Sequence, residues 1–323
     1  MNTEGLKPKI VLVGAAGQQG LEYYNLLKNA FLFMAAVDSN FESLKDFYKN
    51  ESIPLFRDVD EAIKKVDFNI AIVCVPHHLH RGVALSLLKN KKFVIKEKPL
   101  ALNKVELQSY KELPNQRLVT IIQRPFNPVF LRAKNELETI GNIYSYSYKY
   151  SLRIPELTKG WRASRACAGG GVLIDMGYHI LDIILSFFGT PTRITGEMSY
   201  CYNAMKKEGL EDSISMLLNH SNLVQGSLSL NRHHSSKKEE FEIIGNQGTL
   251  LITPKEYKVF NRKGDLYKSF SLESDPKKIK LYMFKEYIQH WQDSDYIQKH
   301  FNHHASIVYL IDDFYKITHK QTA

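Results

Sequence analysis

The sequence predicts an α/β protein with a doubly wound parallel sheet, followed by a second α/β domain of mostly antiparallel strands. Residues 9–123 alternate short apolar runs with amphipathic segments, as a parallel sheet covered by helices on both faces does. Beyond Arg124, many runs alternate polar and apolar residues, which is typical of half-buried antiparallel strands. The 323 residues exceed what one hydrophobic core usually serves, so we expect two domains, at 1–124 and 125–323.

The first domain is predicted to begin with a buried strand at Lys9–Val13, which is almost wholly apolar. Pro76 ends a later apolar run, and Asp58 or Asp60 is expected to cap a short helix. The predicted strands are 9–13, 33–37, 69–75, 93–95 and 118–123, and the predicted helices are 21–29, 41–49, 58–65 and 80–90.

The second domain is predicted to contain a helix at 128–138 and a long apolar helical segment at 172–188. Its C-terminal part again has helical spacing, at 281–292 and 305–318. The predicted strands are 143–152, 194–202, 213–219, 224–231, 239–244 and 249–252. No Gly- or Ser-rich linker separates the domains, so we expect them to be closely apposed.

Composition and charge favour a soluble protein that binds small molecules. Hydrophobic residues make up 44% of the chain, and no apolar run predicts a membrane span or a signal peptide. The net charge of +9 is spread without a basic block, so we expect neither a nucleic-acid partner nor a membrane partner. The three cysteines, which show no close pairing, fit a reducing environment and predict a cytoplasmic protein.

A glycine-rich loop follows the first predicted strand and precedes the first predicted helix. Gly14, Gly17 and Gly20 have the spacing G-x-x-G-x-x-G, one residue longer than the usual dinucleotide fingerprint. Asp38 ends the second predicted strand, where a carboxylate can accept hydrogen bonds from both adenosine ribose hydroxyls and repel a 2′-phosphate. The following Ser39 and Asn40 supply no arginine for that phosphate. The sequence therefore predicts a dinucleotide site that prefers NAD over NADP.

A second group of polar residues carries candidate chemistry. Lys98 follows the strand predicted at 93–95, and ligands of open parallel sheets bind beyond the carboxyl ends of the strands. Farther along the chain, Asp175 and His179 are four residues apart on the predicted 172–188 helix and share a face. They are either functional groups or a satisfied structural pair.

In these features the chain resembles the Gfo/Idh/MocA family of oxidoreductases over almost its whole length. The resemblance implies a Rossmann domain followed by an α/β domain with a large open, mostly antiparallel sheet. It also implies oxidation or reduction of a hydroxyl carbon of a sugar, cyclitol or related polyol. The segments that carry it are the loop at Gly14, Asp38, Val75–His80, Glu97–Pro99, Gln123–Pro128, Trp161–Arg162, Gly169–His179 with Asp182, Glu211–Asp212 and Ile244–Gly248.

The resemblance also implies roles for individual residues. His179 would be the base that takes the hydroxyl proton, Lys98 would hydrogen-bond that hydroxyl, and Asp175 would bind and orient the substrate. The implied substrate contacts are Lys98, Arg124, Arg153, Trp161, Arg162, Asp175 and His179. The implied cofactor contacts are Gly14, Ala16, Gly17, Gln18, Gln19, Asp38, Ser39, Pro76, His77, His80, Glu97, Lys98 and Gln123. Val75 and His77 replace the Thr and Asn that the family commonly carries, so contacts there are expected to differ.

Other readings remain open at this point. The positive charge and the arginines also fit a dehydrogenase of a nucleotide-linked or phosphorylated sugar. A dinucleotide-binding regulator without turnover has the same fold, although loss of Lys98 or His179 would be its expected mark. Histidines cluster at 77–80, 233–234 and 303–304, but no acid or cysteine completes a zinc set, so no metal is expected. The family resemblance implies a homodimer or homotetramer.

Overall fold

The computed structural model describes residues 7–114, 116–273 and 275–321 and divides into two compact units. Unit 1 comprises the described residues up to Ile121 together with Lys280–Ala305. Unit 2 comprises Ile122–Ile279 and the chain from Ser306 onward. The observed boundary at Ile121 lies close to the predicted one at 124. The segment Lys280–Ala305, however, was expected in the second domain and groups with the first.

Unit 1 is built on a six-stranded parallel sheet. Its strands are β1 (Lys9–Val13), β2 (Leu32–Val37), β3 (Leu55–Phe56), β4 (Ile70–Val73), β5 (Phe93–Glu97) and β6 (Leu118–Ile121). Its helices include α1 (Gln18–Leu27), α2 (Phe41–Tyr48), α3 (Val59–Lys65), α4 (His77–Lys89) and α5 (Lys104–Lys111). The strand order β3-β2-β1-β4-β5-β6 is the Rossmann order, and each neighbouring pair is parallel.

The helix starts of unit 1 are set by residues that suit a helix N-terminus. Helix α1 begins three residues earlier than predicted, with Gly17 at its N-cap, and α4 begins at His77 rather than His80, directly after Pro76. Asp58 caps α3 by accepting a hydrogen bond from Glu61 N, as one of the two expected alternatives. Helix α5 escaped the sequence analysis because its surface is mostly polar.

Strand β6 is the edge strand of this sheet, and the C-terminal helices α10 (Pro276–Gln289) and α11 (Ser294–Gln321) explain why Lys280–Ala305 joins unit 1. His300 Nε2 accepts a hydrogen bond from Thr120 N at 2.9 Å, and Tyr287 donates to Thr120 O at 3.0 Å. These two side chains satisfy backbone groups that an edge strand otherwise leaves unpaired.

Unit 2 contains an eight-stranded sheet that is antiparallel except where β7 meets β10. Its strands are β7 (Ile143–Arg153), β8 (Arg193–Ser199), β9 (Ser213–Asn219), β10 (Gln225–Asn231), β11 (His233–Gly245), β12 (Gly248–Ile252), β13 (Glu256–Asn261) and β14 (Leu266–Ser271). Its helices include α6 (Pro128–Asn135), α7 (Arg165–Ala168), α8 (Tyr178–Phe188) and α9 (Asn203–Glu208). The strand order is β14-β13-β12-β11-β7-β10-β9-β8.

Several elements of unit 2 differ from the prediction. The hairpin of β13 and β14 was missed because β14 is almost wholly exposed and lacks an apolar alternation. Strand β11 starts at His233, six residues before the predicted strand, and has a register shift between His233 and Lys238. The predicted helix at 128–138 ends at Asn135 and is followed by a short 3-10 turn.

The predicted helix at 172–188 forms part of the core of unit 2. It begins as a π-helical turn at Leu173–Gly177 and continues as α8. Among the described residues, one stretch, Arg165–Phe188, is long and apolar enough by composition to cross a membrane, and 72% of its most apolar window is buried inside the protein. Such burial is expected of the core helix of a soluble domain.

Candidate active site

The three glycines of the first loop have three separate structural roles. Gly14 has a φ of +83°, and a Cβ there would lie 2.6 Å from the carbonyl oxygen of Cys74. Gly17 is the N-cap of α1, and a Cβ on Gly20 would lie 2.2 Å from the carbonyl oxygen of Gly14. The glycines therefore supply a tight turn, an open helix start and close packing of α1, as in a dinucleotide loop.

The glycine-rich loop is hydrogen-bonded to the end of β2. Ala15 N donates to Val37 O at 3.1 Å, and Ala16 N donates to the carboxylate of Asp38 at 2.9 Å. With Gly14 N, which donates to Val37 O at 2.9 Å, three successive amides of the loop are hydrogen-bonded to the end of β2 and to Asp38. The first turn of α1 carries no acidic residue, and Gly17 and Gln18 are exposed, so its N-terminal amides suit a pyrophosphate.

Asp38 is held in place by two backbone amides. One carboxylate oxygen accepts from Ala16 N, and the other accepts from Asn40 N, each at 2.9 Å. The carboxylate is half-buried, whereas Ser39 beside it is exposed. Each oxygen keeps a further lone pair, so the geometry fits a group that accepts hydrogen bonds from ribose hydroxyls.

Lys98 lies directly after β5, on the same edge of the sheet as the glycine loop and Asp38, and its side chain is partly exposed. The neighbouring Glu97 accepts a hydrogen bond from the hydroxyl of Tyr23 on α1. Burial raises the pKa of Glu97, and the Tyr23 hydrogen bond lowers it. Glu97, predicted as a cofactor contact, therefore also ties α1 to the end of β5.

The first turn of α4 lies beyond the end of β4. Pro76 is the N-cap, and the rings of His77 and His80 are both buried, with their centroids 5.4 Å apart. The two ring nitrogens of His80 face Val75 O at 2.8 Å and Lys96 Nζ at 3.1 Å. The ring that was predicted as a cofactor contact is thus engaged by protein groups on both sides.

In unit 2, the start of the helical segment is capped by a residue from a distant part of the chain. Glu211 is fully buried, and its carboxylate accepts from Gly171 N and Leu173 N, both at 2.9 Å. The hydroxyl of Tyr315 also donates to it, at 2.9 Å. Burial raises the pKa of Glu211, and these three donors oppose the rise. The sequence analysis singled out Glu211 only as part of the family resemblance.

Asp175 and His179 stand out on this segment. Between Gly170 and Leu185 they are the only positions that are not buried. Asp175 lies in the π-helical turn, a feature that is frequent at functional sites. Arg162 Nε lies 3.9 Å from the Asp175 carboxylate, and its guanidinium lies 4.2 Å from the centre of the Trp161 ring. The structure thus brings together three predicted substrate contacts, Asp175, Arg162 and Trp161, and places His179 on the same helical segment as Asp175.

Other predicted contacts are placed differently. Arg124 donates two hydrogen bonds to Glu239, at 2.7 and 2.8 Å, and that carboxylate also accepts from Tyr148. The side chain of Gln123 donates to Pro276 O at 3.3 Å. Arg153 is exposed at the end of β7. Arg124 is therefore a member of a part-buried ion pair, a partnership that the sequence did not reveal because Glu239 lies 115 residues away.

Tyr150 on β7 is a candidate site residue that the sequence analysis missed. Its ring lies 4.9 Å from the guanidinium of Arg124. Burial raises its pKa, and the charges that act on it include Arg124, Glu239 and Asp175. The signal was the run of alternate tyrosines at 144, 146, 148 and 150, which reads equally well as sheet packing.

In the part of the chain that the structure describes, no group of three His, Cys, Asp or Glu residues is arranged for a metal.

Comparison with known families identifies the class of protein. Residues 8–123 match the oxidoreductase family with an NAD-binding Rossmann fold, and residues 130–251 match the Gfo/Idh/MocA C-terminal domain. The chain belongs to the Gfo/Idh/MocA family of oxidoreductases. This confirms the resemblance drawn from the sequence.

Individual relatives and solved structures have low sequence identity to this chain. Trans-1,2-dihydrobenzene-1,2-diol dehydrogenase from Xenopus tropicalis is 27% identical over 227 residues, which are 68% of this chain and 66% of that protein. A levoglucosan dehydrogenase in complex with NADH and levoglucosan has a TM-score of 0.82 at 19% identity, covering 98% of each chain. A 3-ketoreductase from Actinomadura kijaniata in complex with NADP and TDP-benzene has a TM-score of 0.83 at 16% identity, covering 97% and 98%. These structural similarities confirm the predicted fold class.

Proposed function

We propose that the protein is an NAD-dependent oxidoreductase that transfers a hydride between nicotinamide and a secondary hydroxyl carbon of a sugar, cyclitol or sugar derivative. The observation that carries the proposal is the pair Asp175 and His179, the only partly exposed positions of an otherwise buried segment. A structural pair would be expected inside the core. The family and the dehydrogenase activities of its relatives support the same reaction type.

The proposed reaction divides the work among three side chains. The bound dinucleotide supplies the hydride acceptor. His179 takes the hydroxyl proton because an imidazole titrates near working pH. Lys98 donates a hydrogen bond to the reacting hydroxyl oxygen. Asp175 accepts a hydrogen bond from a substrate hydroxyl, beside Arg162 and Trp161.

The preference for NAD is part of the proposal. The fixed carboxylate of Asp38 would accept ribose hydroxyls and repel a 2′-phosphate. The Gly14 turn and the start of α1 would hold the pyrophosphate. Related structures hold NADH in one case and NADP in another, so the choice rests on this carboxylate. We further propose a cytoplasmic homodimer or homotetramer.

A second candidate is a dehydrogenase or ketoreductase of a nucleotide-linked or phosphorylated sugar. The specific observation is the structural match to a ketoreductase that holds TDP-benzene. The net charge of +9 and the half-exposed side chain of Arg162 fit an anionic substrate.

The test is a substrate screen with purified protein. Sugars, cyclitols, sugar phosphates and nucleotide sugars are offered with NAD and with NADP, and the absorbance of reduced nicotinamide is followed. We expect turnover with NAD and a neutral polyol. Turnover limited to phosphorylated or nucleotide-linked sugars would favour the second candidate. Tight NAD binding without turnover of any alcohol would identify a regulator and contradict both.

A further inference from the structure

Lys96 is a fully buried lysine near the end of strand β5, two residues before Lys98. A buried ammonium is costly unless its donors are paired. Lys96 Nζ lies 2.5 Å from Pro99 O, 3.1 Å from Glu97 O and 3.1 Å from His80 Nδ1. Three acceptors match the three donors of an ammonium group. Two of these acceptors are the backbone carbonyls on either side of Lys98.

His80 extends this arrangement to the next loop. Its Nε2 lies 2.8 Å from Val75 O, and a carbonyl oxygen can only accept, so Nε2 carries the proton. In the neutral ring, Nδ1 is then the acceptor for Lys96. Burial and the charge of Lys96 lower the pKa of His80, which agrees with a neutral ring. The chain of bonds joins the end of β4 to the turn after β5.

We propose that Lys96 is a positioning residue for Lys98, acting through the carbonyl groups on either side of it. The proposal rests on the proposed function, because it assumes that Lys98 touches the substrate. The carbonyls of Glu97 and Pro99 flank Lys98 and point at one ammonium group, so the backbone of the turn has little freedom to rotate. Buried carbonyls need donors, and an apolar residue at position 96 would leave them without one.

The test compares Lys96→Met with Lys92→Met in the full-length protein. Met keeps the length of the side chain and removes its three donors. Lys92 is a matched control because its ammonium also donates to one backbone carbonyl, that of Phe68, but at the other end of β5. Amide hydrogen exchange at Lys98, Leu100 and Ala101 is measured without substrate, at about pH 6. The Kd for NADH and the kcat and KM for the best alcohol are measured in parallel.

We expect Lys96→Met to speed exchange at these three amides at least tenfold and to lower kcat at least tenfold. The Kd for NADH should change less than threefold, because Lys96 acts on the turn and not on the glycine loop. Lys92→Met should match the wild type in all measurements. Exchange and kcat within twofold of the wild type in Lys96→Met would overturn the proposal.

Two further outcomes keep the test decisive. If Lys96→Met does not fold, His80→Leu replaces it, and it should speed exchange at the same amides because it removes the link to Val75 O; unchanged exchange would overturn the proposal. Faster exchange in a protein that oxidises no alcohol would contradict the proposed function but support the hold of Lys96 on the turn.

Discussion

The turn that carries Lys98 and the helix start that leads to Asp175 and His179 are held by buried charges of opposite sign. In unit 1, the ammonium of Lys96 donates hydrogen bonds to backbone carbonyls. In unit 2, the carboxylate of Glu211 accepts hydrogen bonds from backbone amides and a tyrosine hydroxyl. Both charged groups are fully buried.

The sign of each charge follows from the backbone that it serves. A turn after a strand leaves carbonyl groups without partners, and the start of a helix leaves amide groups without partners. A single charged side chain can satisfy two or three such groups at once, which offsets the cost of burying it. The proposed catalytic residues are therefore partly exposed groups on backbone that buried charges hold in place.

The largest expected effect comes from removing the chemistry of the helix in unit 2. His179→Asn should lower kcat by roughly a hundredfold to ten-thousandfold, the usual range for loss of a positioned general base. The change leaves the backbone bonds of Glu211 in place, so the thermal midpoint should stay close to that of the wild type. His234→Asn is the control, because the His234 ring contacts Ser236 on its own strand. Equal kcat values for His179→Asn and the wild type would contradict the role of His179 as the general base.

The next effect comes from breaking the support under that helix. Glu211→Gln puts an amide nitrogen where a carboxylate oxygen accepts, so either Gly171 N or Leu173 N loses its acceptor. We expect the free energy of unfolding to fall by about 1–3 kcal/mol and kcat to fall severalfold. Urea unfolding and steady-state kinetics measure the two effects. The exposed Glu240→Gln should change neither, and a Glu211→Gln protein as stable and active as wild type would contradict the comparison.

A smaller effect is expected at the cofactor end of unit 1. Asp38→Ala should raise the ratio of kcat/KM for NADP to that for NAD about tenfold, which corresponds to about 1.4 kcal/mol. The reason is that repulsion of the 2′-phosphate is lost. Asp46→Ala, at an exposed position of α2, should leave the ratio unchanged. A ratio that does not move in Asp38→Ala would refute the ribose assignment.

Within any one pH unit, a comparably small effect is expected as a slope of stability with pH. Burial lowers the pKa of Lys96 from its ordinary value to about 7, against the opposing charges of Glu106 and Glu97. The ring of His80 also faces the Lys96 ammonium. From about pH 7 to 10, the unfolded chain therefore binds a proton that the folded chain has released. The free energy of unfolding of the wild type should rise relative to Lys96→Met, by at most about 1.4 kcal/mol per pH unit. Urea unfolding at several pH values checks this, and parallel curves would contradict it.

The features that could be predicted from the sequence are those that depend on residues close together in the chain. The Gly14 loop and Asp38 were found because strand, turn and helix follow one another within a few residues. Glu211 as a helix cap and Lys96 as a buried cation could not be found this way. The partner of Gly171 is 40 residues away, and Lys96 sits between charged and apolar neighbours like any strand residue. Their partners are fixed only when distant segments pack together.

The most direct test of the proposed function is the transfer of a label between carbon atoms. A substrate from the screen is deuterated at the hydroxyl-bearing carbon and incubated with NAD and the wild-type, Lys98→Met or His179→Asn protein. We predict that the wild type delivers deuterium to the nicotinamide ring, detected by mass spectrometry, and that both variants do so at least a hundredfold more slowly. Reduced nicotinamide without the label, or equal transfer by all three proteins, would contradict it.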